Sequence, residues 1–216
     1  MKMEITTRKP PVLSIILIFI LIWPLVGCFQ GKPIQQQYTL TTENPSPVLG
    51  KQSAQTTILI GPVKLATYLD QPRMIWRHGA TRIDSTPNHL WGGDLSEMIN
   101  YKLVAEIGSL LKPSPVFSYP NQAVSPKGRR VAVDILRFEA TDGGRNDTKN
   151  DKTAAIEARW TLYDLGNKSI ITTQSSLVHL PLTNDSYEAL AMALSQGVTQ
   201  LGQEIAQSII LSQEMK

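Results

Sequence analysis

Residues 12–26 form an apolar run broken only by Ser14 and Pro24, and a short positive segment carrying Lys2, Arg8 and Lys9 precedes it. A helix that crosses a bilayer comfortably needs about 20 apolar residues. This run falls short of that and has the layout of a secretory signal peptide instead: a charged segment, an apolar segment, then a small residue before a cleavage point. The part expected to fold is therefore the chain beyond Gly27.

The next residue is Cys28, the only cysteine in the 216 residues. Leu25-Val26-Gly27-Cys28 resembles the bacterial lipobox, in which the thiol is first alkylated with diacylglycerol and the peptide is then cut so that Cys28 becomes the first residue. Burying acyl chain yields about 0.8 kcal/mol per CH₂, so one chain holds a protein marginally and two or more hold it durably. Cys28 is thus the expected lipidation site, with palmitate-type acylation fixing the chain to a membrane without a spanning helix. Acylation also uses up the only thiol, so neither a disulfide nor a cysteine nucleophile is expected.

Cleavage leaves 189 residues, an ordinary size for one domain. Three basic residues and one acid leave with the signal, so the formal charge falls from +3 to +1 and the basic pI is partly the signal's. With no concentrated basic stripe, nucleic acid is not an expected partner. Residues 1–27 read as signal and 28–56 as an acylated N-terminus and flexible tether. The tether is rich in Gln, Pro, Ser and Thr and buries too little apolar surface to offset the entropy of ordering. Its one strand candidate is Tyr38-Thr39-Leu40. The folded domain is expected over 57–216.

Within that domain Thr57-Ile58-Leu59-Ile60 reads as a buried strand ending at Gly61-Pro62, and residues 64–70 as a helical turn closed by Pro72. Residues 74–77 and 81–85 are short strand candidates joined through His78-Gly79. Asp94-Leu95-Ser96-Glu97 is a capping-box signature opening a helix with Ile99, Leu103, Ile107 and Leu110 on one stripe. Residues 114–119 then suit a strand returning parallel to the first. Val131, Val133 and Ile135 alternate with polar neighbours, as do Ala154, Ile156, Ala158, Trp160 and Leu162. Asp164-Leu165-Gly166-Asn167 turns the chain into a third strand of a meander. A second capping box, Asp185-Ser186-Tyr187-Glu188, opens the last helix, in which Gly197 and Gly202 suggest close approach to another element. This order implies an α/β fold: a single three-layer domain with a mixed sheet and helices packed on its faces.

The chemistry of a hydrolase is hard to place. His78, His89 and His179 are scattered and lie in no Gly-x-Ser-x-Gly elbow. No histidine or cysteine pair has zinc spacing, and in the loop 141–153 Lys149 falls where a calcium site wants an oxygen, so neither metal nor cofactor is expected. Lys127, Arg129 and Arg130 form a basic turn that suits a solvated hairpin tip better than a lipid-phosphate site. Trp160 has the register of a core residue, while Trp76 and Trp91 lie near loops and suit either core edges or contacts.

The run from Gly61 to Pro72, GPVKLATYLDQP, resembles the opening motif of the PqiC-like family of ABC-type transport auxiliary lipoproteins. Further along, Trp91 before the first long helix, Tyr119-Pro120 after it, Val133-Asp134-Ile135-Leu136-Arg137-Phe138 and the Trp160 strand follow in the family's order. The chain departs from the pattern at Ala66, Gln71 and Gly92-Gly93. The resemblance implies a non-enzymatic, outer-membrane lipoprotein on the periplasmic face, working with an MCE-domain channel protein and an inner-membrane transporter that move lipids and support membrane integrity. Phe29 after the cysteine fits outer-membrane sorting.

Two functions follow as expectations. One is docking of the lipid-transport channel, with Tyr68, Leu69, Asp70 and Arg73 as partner-binding residues, because that segment reads as a surface connection carrying interface-type side chains. A homo-oligomer is compatible with it. The other is a lipid-anchored envelope hydrolase or small-ligand-binding protein, which would show a deep pocket with convergent polar groups.

Overall fold

The computed structural model describes residues 34–41, 56–121, 128–142 and 152–214. Cys28, Lys127 and most of the loop 141–153 lie outside the described residues. The elements are β1 (Gln36–Tyr38), β2 (Ile58–Leu65), β3 (Arg73–His78), β4 (Arg82–Trp91), α1 (Leu95–Leu110), β5 (Val116–Ser118), β6 (Arg129–Asp142), β7 (Lys152–Asp164), β8 (Ser169–Pro181) and α2 (Tyr187–Glu214).

The long strand β6 organises the sheet. Along one edge it pairs antiparallel with β7 from Arg129↔Asp164 to Asp142↔Lys152, and β7 pairs in turn with β8, which completes the expected meander. The other edge of β6 is shared. Its first half takes β2 in parallel, from Ile58↔Arg129 to Leu65↔Ile135, and its last residues take β3 in parallel, from Trp76↔Ala140 to His78↔Asp142. The sheet therefore forks, with β5 parallel to β2 on one prong and β4 and β1 beyond β3 on the other. Through β1, residues 36–38 of the expected tether join the sheet.

One face of this sheet is apolar because its strands alternate. Val131, Val133 and Ile135 lie opposite Leu162, Trp160 and Ala158 and are buried, while Ala132, Asp134, Arg159 and Thr161 occupy the alternate positions. Helices α1 and α2 pack on each other and on the apolar face. The expected single α/β domain on a mixed sheet is what forms. Within it both helices share one face, so helix and sheet make two layers. The opposite face carries no helix among the described residues.

Local chemistry explains the element ends. Asp94 accepts the Glu97 backbone N–H at 3.0 Å and opens α1 as its motif suggests. At α2 the cap falls one residue later than expected: Ser186 Oγ accepts the Ala189 N–H at 3.0 Å, and Asp185 pairs with Lys152 at 2.5 Å instead. β2 does not end at Gly61-Pro62. Gly61 adopts φ +116°, which L side chains rarely reach, and the register shifts between Ile60 and Val63, so the strand bulges there and runs on to Leu65. The closing glycines mark close approaches. A Cβ on Gly197 would stand 2.6 Å from Ile156 Cδ1, and one on Gly202 would stand 3.2 Å from Glu106 Cβ of α1.

Candidate docking surface

Residues 66–72 connect the end of β2 to the start of β3 and plug the fork of the sheet. Ala66 donates its N–H to the Ile135 carbonyl at 2.8 Å, and Thr67–Leu69 is a single 3-10 turn. The turn splits the expected partner-binding residues. Leu69, 2 % exposed, belongs to the core, and Tyr68 is half-buried, whereas Asp70 and Arg73 are exposed. Leu69, Asp70, Gln71 and Pro72 form one wall of an open groove of about 370 Å³ whose other wall is Gly93, Asp94 and Leu95 at the start of α1.

Tyr68 is held from the open side of the sheet. The single proton of its hydroxyl is shared between Glu139 Oε2 at 2.9 Å and the Leu136 carbonyl at 3.1 Å. Glu139 is fully buried and also accepts from Arg77 Nε at 2.5 Å and from Arg137 Nε at 2.8 Å, while the Arg77 guanidinium lies 5.5 Å over the Tyr68 ring. Burial opposes ionisation of Glu139, but the hydrogen bonds from Arg77, Arg137 and Tyr68 outweigh it and hold the carboxyl below the usual glutamate range. Burial first, and then the charge of Glu139, push the Tyr68 hydroxyl up to about 12. Tyr68 is thus a brace for the fork. This cluster escapes sequence reading except for one signal, a lone acid between Phe138 and Ala140 in a strand.

The basic turn also differs from the expected solvated tip. Arg129 is buried and donates to the Ile209 carbonyl at 2.9 Å, to the Ser212 carbonyl at 3.1 Å and to Ser212 Oγ, tying β6 to the last turn of α2. Burial lowers its pKa and nearby Asp164 works against that. The Arg130 guanidinium lies over both the Tyr119 ring and the Tyr163 ring, 4.9 Å and 4.7 Å from their centroids. Trp76 and Trp91 are both core residues, as is Trp160.

The histidines sit in aromatic and acidic surroundings. His78 hydrogen-bonds Asp142 through Nδ1 and lies 3.1 Å from Asp84 through Nε2, and His89 stacks on Tyr187 with centroids 4.0 Å apart. A second groove, also about 370 Å³, runs beside α1 and α2. Lys102 forms part of its lining and donates to Glu106 at 3.1 Å and to the Thr41 carbonyl at 2.5 Å, which pins the chain after β1 to the helix pair. Among the described residues no helix is long and apolar enough to cross a membrane, and no group of acidic, histidine or cysteine side chains is placed to hold a metal ion.

Comparison with known families decides how this arrangement is to be read. The model of the ABC-type transport auxiliary lipoprotein component matches residues 38–206, most of the chain. The chain belongs to that family. An auxiliary lipoprotein of this kind sits at a membrane of the cell envelope and serves a transporter. No curated protein matches the sequence significantly. Among solved structures, a protein from Xanthomonas campestris is 19% identical with a TM-score of 0.69, covering 83% of this chain and 97% of its own. An uncharacterized protein is 22% identical with a TM-score of 0.64, covering 82% of this chain and 99% of its own. Both share the fold of the auxiliary lipoprotein.

Proposed function

We propose that this auxiliary lipoprotein is anchored at the periplasmic face of the outer membrane through Cys28. There it docks an MCE-domain channel protein of an ABC-type lipid-transport system and supports membrane integrity. The observation that carries the reading is the family match over residues 38–206, which spans the sheet and most of α2. The physical logic is that of tethering. An acyl anchor confines the domain to a thin layer and raises its effective concentration for a partner that arrives there. The tether is short: the eight residues from Phe29 to Gln36 reach about 26 Å when extended.

Asp70 and Arg73, with the groove between Asp70-Gln71-Pro72 and Gly93-Asp94, offer polar contacts on this reading, while Tyr68 and Leu69 hold that surface in place. The test is co-purification of the full-length, detergent-solubilised lipoprotein with the MCE-domain protein, together with fractionation of the two membranes. Co-elution and recovery in the outer-membrane fraction support the proposal; an inner-membrane protein that elutes alone contradicts it.

A further inference from the structure

β8 is an outer strand of the sheet, and its free edge is unlike the others. β1 and β5 also end the sheet, but each is only 3 residues long. β4 extends past β1 and carries Arg82, Asp84 and Pro87 on that stretch. Short length, charge and proline are the usual devices that keep an open strand edge from pairing with another chain. β8 is 13 residues long and holds no Asp, Glu, Lys or Arg from Ser169 to Pro181. Its two interruptions sit at its ends, a bulge that skips Ile171 and Pro181 itself.

Between Thr172 and Val178 the strand is regular, and the backbone groups that point away from β7 have no hydrogen-bond partner among the described residues. Leu177 is 51 % exposed beside them. On a strand edge such N–H and C=O groups recur at every second residue. What satisfies them in series is the backbone of another extended chain.

The side chains around this edge specify the chain that fits. Gln174, Ser176 and Val178 lie opposite Trp160, Ala158 and Ile156, so they share the face on which α2 packs. There Ser176 Oγ accepts the Trp160 indole N–H at 3.0 Å and donates to Glu204 of α2. Glu204 is exposed and makes no ion pair among the described residues. A strand laid along β8 stands about 4.8 Å away, and the side chain that it sets opposite Ser176 on the helix face comes beside this carboxylate.

The same carboxylate disfavours a second copy of this chain as the occupant. Neither β8 nor α2 contains a Lys or Arg. β8 paired antiparallel with itself therefore brings no cation to Glu204 and sets two Glu204 side chains on one face of the new seam, where like charges oppose pairing. Arg159, on the neighbouring strand, lies opposite Ser175 and belongs to the other face.

We propose that the open edge of β8 between Thr172 and Val178 accepts an extended strand of another protein, with a lysine or arginine opposite Ser176 and uncharged side chains on either side. The backbone of that strand takes the outward N–H and C=O groups of β8, and its cation pairs with Glu204. This edge shares no residue with the groove at Asp70 and Asp94, and it stands independently of the docking reading above.

The experiment follows hydrogen–deuterium exchange and binding of the full-length protein in detergent with two short capped peptides of alternating threonine and valine, one with a central lysine and one with a central glutamate. The lysine peptide should slow exchange within residues 172–178, leave β5 unchanged, and bind at least about threefold more tightly than the glutamate peptide at low salt. The preference should vanish in Glu204→Gln, which keeps an acceptor for Ser176, and reverse in Glu204→Lys. Unchanged exchange at residues 172–178 with both peptides overturns the proposal, as does equal binding of the two peptides by the wild type. Exchange there that slows as protein concentration rises without peptide, together with a dimer in sedimentation, assigns the edge to a second copy and also overturns it.

Discussion

Trp160 and Glu139 show what single residues contribute and how unequally a sequence discloses them. Trp160, 1 % exposed, donates its indole N–H to Ser176 Oγ at 3.0 Å, and its place inside followed from simple alternation along β7. Trp160→Ala should cost about 3 to 5 kcal/mol, read as a fall in the denaturation midpoint of the soluble domain. Glu139 carries a pH dependence. Because its folded pKa is depressed, its contribution is complete above the ordinary glutamate range and is lost as pH falls through the folded value. Between about pH 5 and pH 3 the wild type should therefore lose stability more steeply than Glu139→Gln, which should already be weaker at neutral pH. Thermal melts across that window check it, and parallel curves for the two proteins would count against the cluster. Arg129 was illegible for the opposite reason to Trp160. Beside Lys127 and Gly128 it reads as a solvated tip, and only the fold brings it the Ile209 and Ser212 carbonyls, some 80 positions away.

At the scale of elements, strands with one apolar face and capped helices were readable, because their periodicity or cap chemistry is local. That covers β6, β7, β8 and α1. Elements shaped by neighbours were not. β2 outruns its Gly61-Pro62 punctuation by bulging, and β4 continues through Pro87 to Trp91 as a strand lying between β3 and the short β1. Two predictions belong here. Ser186→Ala should destabilise the domain by about 1 kcal/mol, while Asp185→Ala, which touches only an exposed ion pair, should be near neutral. The reverse order in chemical denaturation would return the cap to Asp185. Gly197→Ala gains helix propensity of about 1 kcal/mol yet drives a methyl into Ile156, and overpacking costs about 1 to 3 kcal/mol, so a net loss is expected. Ile156→Val removes the obstructing Cδ1. The double variant should be more stable than the two single losses summed, a coupling that a thermodynamic cycle reads directly.

For the whole molecule, the sequence disclosed a domain of mixed sheet and helices, and it marked the segment around residues 68–73 as noteworthy. It did not disclose that Tyr68 and Leu69 are held by the fold there, nor that Arg130 of β6 meets Tyr119 and Tyr163, since these three come from separate parts of the sheet whose pairing no local pattern encodes. Anchoring is expected to depend on the sulfur of Cys28. Cys28→Ala should lose palmitate labelling and retain its signal segment, and persistent labelling would place the anchor elsewhere. Docking is the central claim, and hydrogen–deuterium exchange of the full-length protein with and without saturating MCE-domain protein tests it most directly. The account predicts slowed exchange at residues 70–73 and at the start of α1, the two walls of the groove, with the far end of α2 unchanged. Identical exchange with and without the channel protein at both segments would contradict it.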